Sequence, residues 1–528
     1  MENDELFDGR EEYEVIRITN VPGRNGAASG EGVWRSFAAV RESEPEGDPA
    51  KRRSRFFKKL FLSIGYAAVF TFCLYDAPNG ITYPVYAAAT LAVFCAVLRL
   101  MGEKPKRSAG FYAAGIMALA VHVATTGSGY LIVIDKVLMY VLLFMLFLNS
   151  LYDDSKWDVA RYCRAIFETA VSGISFIPNI VTEALSVRRD RLSGNKGAAE
   201  RQEDPMRYIF LGLVLCVPLL IVIVPLLAAS DAVFCQAVAD MFEIRFDSGI
   251  VVILGMLFGM FAVSFALMTR FSKKIGWLCT EPKDARIRNP LTAITIMTVI
   301  LIVYLFYCAI QVFYLFLGKG ELPEGYTYAS YVHEGFYELV FVCLINLVLV
   351  LVCRKYSRDH AVLRGMLTGI CGCTYVMLGS SLYRMILYID AYGFTFLRAF
   401  VLWALAVIAL VLAAAVGLVY RASFPFVKCA AAVVAATWIV FAFSYPDRWI
   451  AAYNMDHGYG YEYTHDMLST DAIPVIVDRW SRNPVLWDTR ADIIGHEKTY
   501  RTNLEHKKDF RNFNVSEYKA RKALDDLW

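Results

Sequence analysis

Residues 129–150 read GYLIVIDKVLMYVLLFMLFLNS. At ~1.5 Å of rise per residue, a helix of this length crosses the ~30 Å hydrocarbon core of a bilayer. Only Asp135 and Lys136 interrupt its apolar character. Segments 57–75, 83–101, 110–126, 208–229, 249–270, 291–317, 333–353, 361–388, 395–420 and 425–444 repeat the pattern, 110–126 being the shortest and weakest. The whole chain agrees: it is 57% apolar and only 20% charged, more apolar and less charged than average soluble domains. The pattern predicts an all-α, polytopic transmembrane helical bundle of about 11 spans.

The basic residues orient that bundle. Segments 51–59, 99–107, 151–207, 270–288, 354–364 and 421–428 hold 31 Lys and Arg, whereas the alternate short loops hold only Arg245 and Lys319. Cytoplasmic loops retain positive charge, so the expected topology has a cytoplasmic N-terminus and, after an odd number of spans, an extracytoplasmic tail. Residues 1–50, with 12 Asp/Glu against 5 Lys/Arg, read as a disordered acidic leader too polar to form a core. No apolar run opens the chain, so no cleaved signal peptide is expected. The predicted division is a leader (1–50), a four-helix membrane part (51–150), a cytoplasmic amphipathic linker (151–207), a seven-helix membrane domain (208–444) and a small helical tail (445–528).

Two segments are too polar to span but carry apolar stripes. In 157–174, Val159, Tyr162, Cys163, Ile166, Phe167, Ala170, Val171 and Ile174 recur at helical spacing, which predicts a helix lying along the cytoplasmic interface. A shorter stripe runs through 233–242 on the outer side. In the tail, Ser516 is the expected cap of a last helix burying Tyr518, Leu524 and Leu527. The 12 cysteines fall mostly in apolar runs and read as packing residues rather than a disulfide or zinc framework.

Several stretches together resemble a family of bacterial multi-pass membrane proteins, domain of unknown function 4173, related to the neighbouring family 4153. They are LLAASDAVF (226–234), YASYVHEGFYELVFVCLINL (328–347), LYRMILYIDAYGFTFLR (382–398), SYPDRWIAAYN (444–454) and Asp471-Ala472-Ile473-Pro474. The likeness covers about residues 208–480. It implies a multi-pass architecture but no activity.

Polar groups inside spans are costly and each needs a reason. Asp135 and Lys136 are possible intramembrane charges. Asp231, Gln311, His333, Glu334, Glu338, Ser381, Arg384, Tyr388, Tyr392 and Arg398 map to the outer half of the membrane or its boundary and form a candidate outer polar cluster. Glu334 with Glu338, and Arg384 with Tyr388, are i, i+4 pairs sharing a helix face. A guanidinium near carboxylates in an outward cavity suits a headgroup, carboxylate or phosphate. Structural readings compete: Glu334 and Glu338 suit a helix N-terminus, and Arg384 and Arg398 can snorkel to headgroups. No nucleotide, hydrolase or metalloprotease motif occurs in a suitable context. Glu462, His465 and Asp466 read as a solvated loop, so no metal or cofactor is expected, and nucleic-acid binding has no support. The expected partners are the lipid bilayer and an envelope lipid or protein. The favoured function is a non-enzymatic cell-envelope protein binding a lipid, precursor or partner through the outer cavity and tail. The alternatives are a transporter or exporter, and an enzyme acting on an outer-leaflet lipid-linked substrate.

Overall fold

The computed structural model describes residues 49–155, 157–175, 180, 183–184, 187, 248–271, 276–280, 286, 288–313, 328–460, 462–482, 490–504 and 509–527. The helices are α1 (Pro49–Leu74), α2 (Thr82–Leu100), α3 (Ala109–Thr125), α4 (Gly129–Leu151), α5 (Val159–Ser175), α6 (Ser248–Phe271), α7 (Pro290–Gln311), α8 (Tyr328–Tyr356), α9 (Ala361–Tyr392), α10 (Phe396–Tyr420), α11 (Phe426–Phe443), α12 (Pro446–His457), α13 (Ile473–Arg482), α14 (Arg490–Leu504) and α15 (Val515–Asp525). Among the described residues there is no strand, only an isolated bridge between Arg288 and Ser357. The chain is an all-α polytopic bundle: nine described helices are long and apolar enough to cross a membrane, and α3 is a shorter apolar helix of 17 residues. Of the expected spans, 208–229 lies outside the described residues, as do the leader through residue 48 and the 233–242 stripe.

The membrane helices bury two cores. One joins α1 to α4 through Tyr83, Leu98, Ile116, Leu119, Leu131 and Leu146, and draws in Trp438 of α11. The other joins α7 to α11 through Met297, Cys343, Leu367, Ile370 and Leu412. Helix α11 serves both, turning Ala435, Trp438 and Ala442 to the first and Phe426 to the second. Side chains such as Val299, Ile302 and Phe306 on α7 stay exposed, as suits a helix face directed at lipid.

The helix expected over 157–174 forms as α5, and its apolar stripe divides between buried and exposed positions. Tyr162, Ala165 and Thr169 are buried, while Val159, Cys163 and Phe167 are exposed in an i, i+4, i+8 row. The apolar stripe is wide enough to split, one edge packing on protein and the other directed outward. The tail is a helical module with its own core of Ala451, Ile473, Ile476, Trp480, Tyr500, Ala520 and Leu524. Its last helix is capped by Asn514, whose side chain accepts from the Ser516 amide, and not by Ser516. The buried row is Ser516, Ala520 and Leu524; Tyr518 is 55% exposed, because it sits two residues off that i, i+4 ridge.

Candidate functional site

One of two buried polar centres gathers where the tail meets the ends of the membrane helices. Helices α3 and α4 form a tight hairpin through Thr126-Gly127-Ser128. This brings His122 beside Asp135, with Nδ1 2.6 Å from Oδ2 and both side chains fully buried. The indole Nε1 of Trp438 donates to the other oxygen at 2.7 Å. Both carboxyl oxygens therefore have a partner, which answers the cost of placing this group inside a span. The His122 ring packs against Phe443 (centroids 4.9 Å) and Tyr445 (5.5 Å). Lys136 does not pair with Asp135. Its ammonium reaches Asn79 Oδ1 at 2.7 Å, above the Tyr83 ring.

Directly after α11 the chain turns at Tyr445, a non-glycine residue at φ 50°. Such backbone costs ~1–3 kcal/mol and persists only where surroundings fix it. Here the Tyr445 hydroxyl donates to Thr125 Oγ1 at 3.0 Å, and the Arg448 guanidinium lies 3.9 Å over its ring. Arg448 in turn approaches Asp471 Oδ1 at 3.6 Å. Asp471, 1% exposed, grips the α3–α4 loop: its Oδ2 accepts from Thr126 Oγ1 (2.6 Å) and the Gly127 amide (3.0 Å). Asp447 lies nearby, accepting from the Ser469 hydroxyl at 2.5 Å. Burial, followed by the charge of Asp471, holds its carboxyl above the usual range, with Ser469 opposing.

The same module holds two further loops. Asn514 donates to the Thr126 carbonyl at 2.9 Å, and the Phe513 carbonyl accepts from the Ile81 amide at 2.9 Å. Asn454 exchanges paired bonds with Phe394, accepting from its amide (2.8 Å) and donating to its carbonyl (2.9 Å). Tyr463 accepts from the Phe396 amide at 2.7 Å. Loops 76–81, 126–128 and 393–395 thus share one end of the bundle with the tail. At the opposite end lie the basic loops. There Asp154, 1% exposed, receives Lys428 at 2.6 Å, Asn149 at 3.1 Å and the Tyr162 hydroxyl.

The residues of the candidate outer cluster are distributed as follows. Ser381 and Arg384 are buried on α9. Gln311 accepts from Ser380, not Ser381, at 2.7 Å. Tyr388 and Tyr392 meet edge to face at 5.2 Å, and the Arg398 guanidinium lies 4.1 Å over Tyr388, its Nη1 donating to the Tyr392 and Gly393 carbonyls. Glu338 is exposed on α8. Asp231 and the side chains of His333 and Glu334 lie outside the described residues. His465 belongs to no solvated loop: it is 2% exposed and stacks on Trp480 and His496. Among the described residues, no three His, Cys, Asp or Glu side chains are arranged to hold a metal.

Sequence reasoning missed His122, Trp438, Asp447 and Asp471. The first two are single polar-capable residues in apolar runs. The last two stand inside SYPDRWIAAYN and the Asp471–Pro474 stretch, which the resemblance had already singled out. A search of curated proteins finds no match, and a search of solved structures finds none. The match found among family models is to the family related to 4173, and it includes both polar centres, Asp135 and Asp154, and the tail clamp through Asp471. Covering residues 113–478, it places the chain in the family described as domain of unknown function (DUF4153).

Proposed function

We propose that this integral membrane protein is a non-enzymatic component of a bacterial cell envelope, seated in the cell membrane with its N-terminus cytoplasmic and its tail extracytoplasmic. In this reading the tail and the outer ends of α9 and α10 bind an envelope lipid, a precursor or a partner protein. Residues 51–150 and 208–444 supply the membrane part, and 445–528 the outer module. The observation that carries it is the clamp: buried Asp471 and Asn454 fasten the module to loops at one end of the bundle, so that a ligand on either is felt by both. The excess of Lys and Arg in the loops of the other end supports the orientation.

The test removes the tail after Ser444 and, separately, changes Arg384→Ala and Asp471→Ala. The same phenotype from all three is expected; independent phenotypes overturn the shared outer site. One observation favours the transporter reading instead. Polar centres lie toward both ends of α4 and α11 reaches each, Asp135 through Trp438 and Asp154 through Lys428, although Met139, Leu142 and Leu146 of α4 are buried in the apolar core between them. Proton flux in reconstituted liposomes that disappears in Asp154→Asn and Asp135→Asn would favour transport over binding.

A further inference from the structure

The tail closes its own core around Trp480 and Leu524, yet it leaves three aromatic side chains outside it. Phe510 is 69% exposed, Tyr518 55% and Phe513 41%. They are not scattered. Phe513 and Tyr518 pack ring to ring at 5.8 Å, and Phe510 opens the 3-10 turn Phe510–Asn512 just before them. This turn sits on the rim of α1. Arg511 donates from Nη1 to the Phe72 carbonyl at 3.1 Å and lies over the Phe72 ring at 5.7 Å. Phe72, in the last turn of that span, is itself 55% exposed, and Ile81, bonded to Phe513 across the loop, 46%. The patch therefore adjoins the exposed side of a membrane helix at Phe72.

Backbone near the hydrocarbon needs hydrogen-bond partners within the protein, and much of this turn has them. The Asn512 amide donates to Asp509, the Phe513 amide to Phe510, and the Phe513 carbonyl accepts from Ile81. Asp509 holds Arg511 in place at 2.6 Å, an ion pair that keeps the Asp509 carboxyl below its usual range together with the Arg511 amide. Lys519 and Lys522, exposed on α15, add positive charge beside the aromatic rings, where lipid phosphates lie.

We propose that residues 510–518 are a membrane-surface anchor: Phe510, Phe513 and Tyr518 sit in the interfacial layer of the same bilayer that α1 crosses, with lipid as their partner. The anchor pins residues 510–518 of the tail to the membrane surface. It rests on the docking of the tail at the α1–α2 loop and holds for either orientation of the chain.

The test uses the full-length protein in nanodiscs of phosphatidylcholine and phosphatidylglycerol, with Cys95, Cys163, Cys235 and Cys279 replaced. An environment-sensitive fluorophore is attached at Phe510→Cys, Tyr518→Cys or Ile494→Cys, the last an exposed tail position that the proposal leaves in water. Probes at 510 and 518 are expected to emit at shorter wavelength. Lipids spin-labelled near the glycerol should quench them about twofold or more, and more strongly than lipids labelled at the chain end, as befits shallow insertion. The 494 probe should be unaffected. If the probes at 510 and 518 both behave like the 494 probe, the anchor is overturned. A shielded probe at 510 that resists lipid quenching, with disulfide-linked dimers of Phe510→Cys, overturns it in favour of a second copy of the chain.

Discussion

Asp135 carries the clearest chemistry at the scale of single residues. Its two oxygens serve His122 and Trp438, so removing it strands the buried indole donor and leaves the buried imidazole without its partner. Breaking a buried polar group's partners costs ~3 kcal/mol. Asp135→Ala should therefore lower the thermal midpoint of the detergent-solubilised protein by several degrees in a size-exclusion assay. Asp135→Asn, which keeps an acceptor for the indole, should lower it less. A wild-type midpoint for Asp135→Ala would mean that the contacts contribute nothing. Asp447 gives a prediction of opposite sense. Its carboxyl is held above the usual range by burial and by Asp471, so the docked state takes up a proton more readily than the undocked one. Docking gains stability as pH falls from neutral through that raised value, and the gain is complete below about pH 4. Protease protection of the tail should then increase on mild acidification in the wild type, relative to Asp447→Asn, where this contribution is absent. An identical pH response in both would refute it. Asp135 was legible in the sequence as a charge in an apolar run. Its partners were not, because they lie 13 and 303 positions away, and periodicity names a helix face without naming the helix that covers it.

Among elements, the loops at the tail end act as sockets, and glycine makes two of them possible. Gly393 ends α9 at φ 75°, a region that costs other residues ~1–2 kcal/mol. A Cβ there would also press on Asn454 and Tyr459. At Gly80 a Cβ would overlap the Arg511 carbonyl, a backbone atom that cannot swing aside. Gly80→Val should thus lift residues 510–513 off the α1–α2 loop while leaving the α9 socket closed, and Gly393→Ala should do the reverse. Hydrogen exchange resolves the two: the Ile81 amide, bonded to Phe513, loses protection in the first variant, and the Phe394 amide, bonded to Asn454, in the second. Loss at both sites in either variant would mean that the sockets open as one unit. The sequence foretold the helices that these loops join, since length and hydropathy suffice for that. It misjudged the finer face of α15. In α15 the small residues Ser516 and Ala520 make the close contact, and a hydrophobicity reading favours Tyr518 because it is large. Bulk selects a buried face only where the neighbour leaves room, which a lone helix pattern does not record.

Across the whole molecule, the described helices fall in the order that apolar run length predicts, because a bilayer constrains length and composition more strongly than water does. The gathering of the tail onto particular loops was not legible, since it depends on hydrogen bonds spanning hundreds of residues, such as Thr126 to Asp471 and Ile81 to Phe513. Those bonds nevertheless make the predicted topology unusually exposed to test. They tie residues 445–525 to the loops following α1, α3 and α9, whereas the Lys106, Asp154, Lys355 and Lys428 contacts gather at the other end. The protein carries its own reporters of that end, Cys163 and Cys279, both exposed. Lys519, exposed on α15, is the matching position in the tail; Ser516, at 1% exposure, would be shielded from any reagent. In intact cells a membrane-impermeant thiol reagent should label Lys519→Cys, while Cys163 and Cys279 should react only after permeabilisation. The reversed pattern would invert the orientation but keep the two ends apart, and the positive-charge argument alone would fall. Labelling of Lys519→Cys and Cys163 from the same side would be more damaging, because an odd number of spans could no longer separate them and the tail's docking would have to be abandoned with the topology.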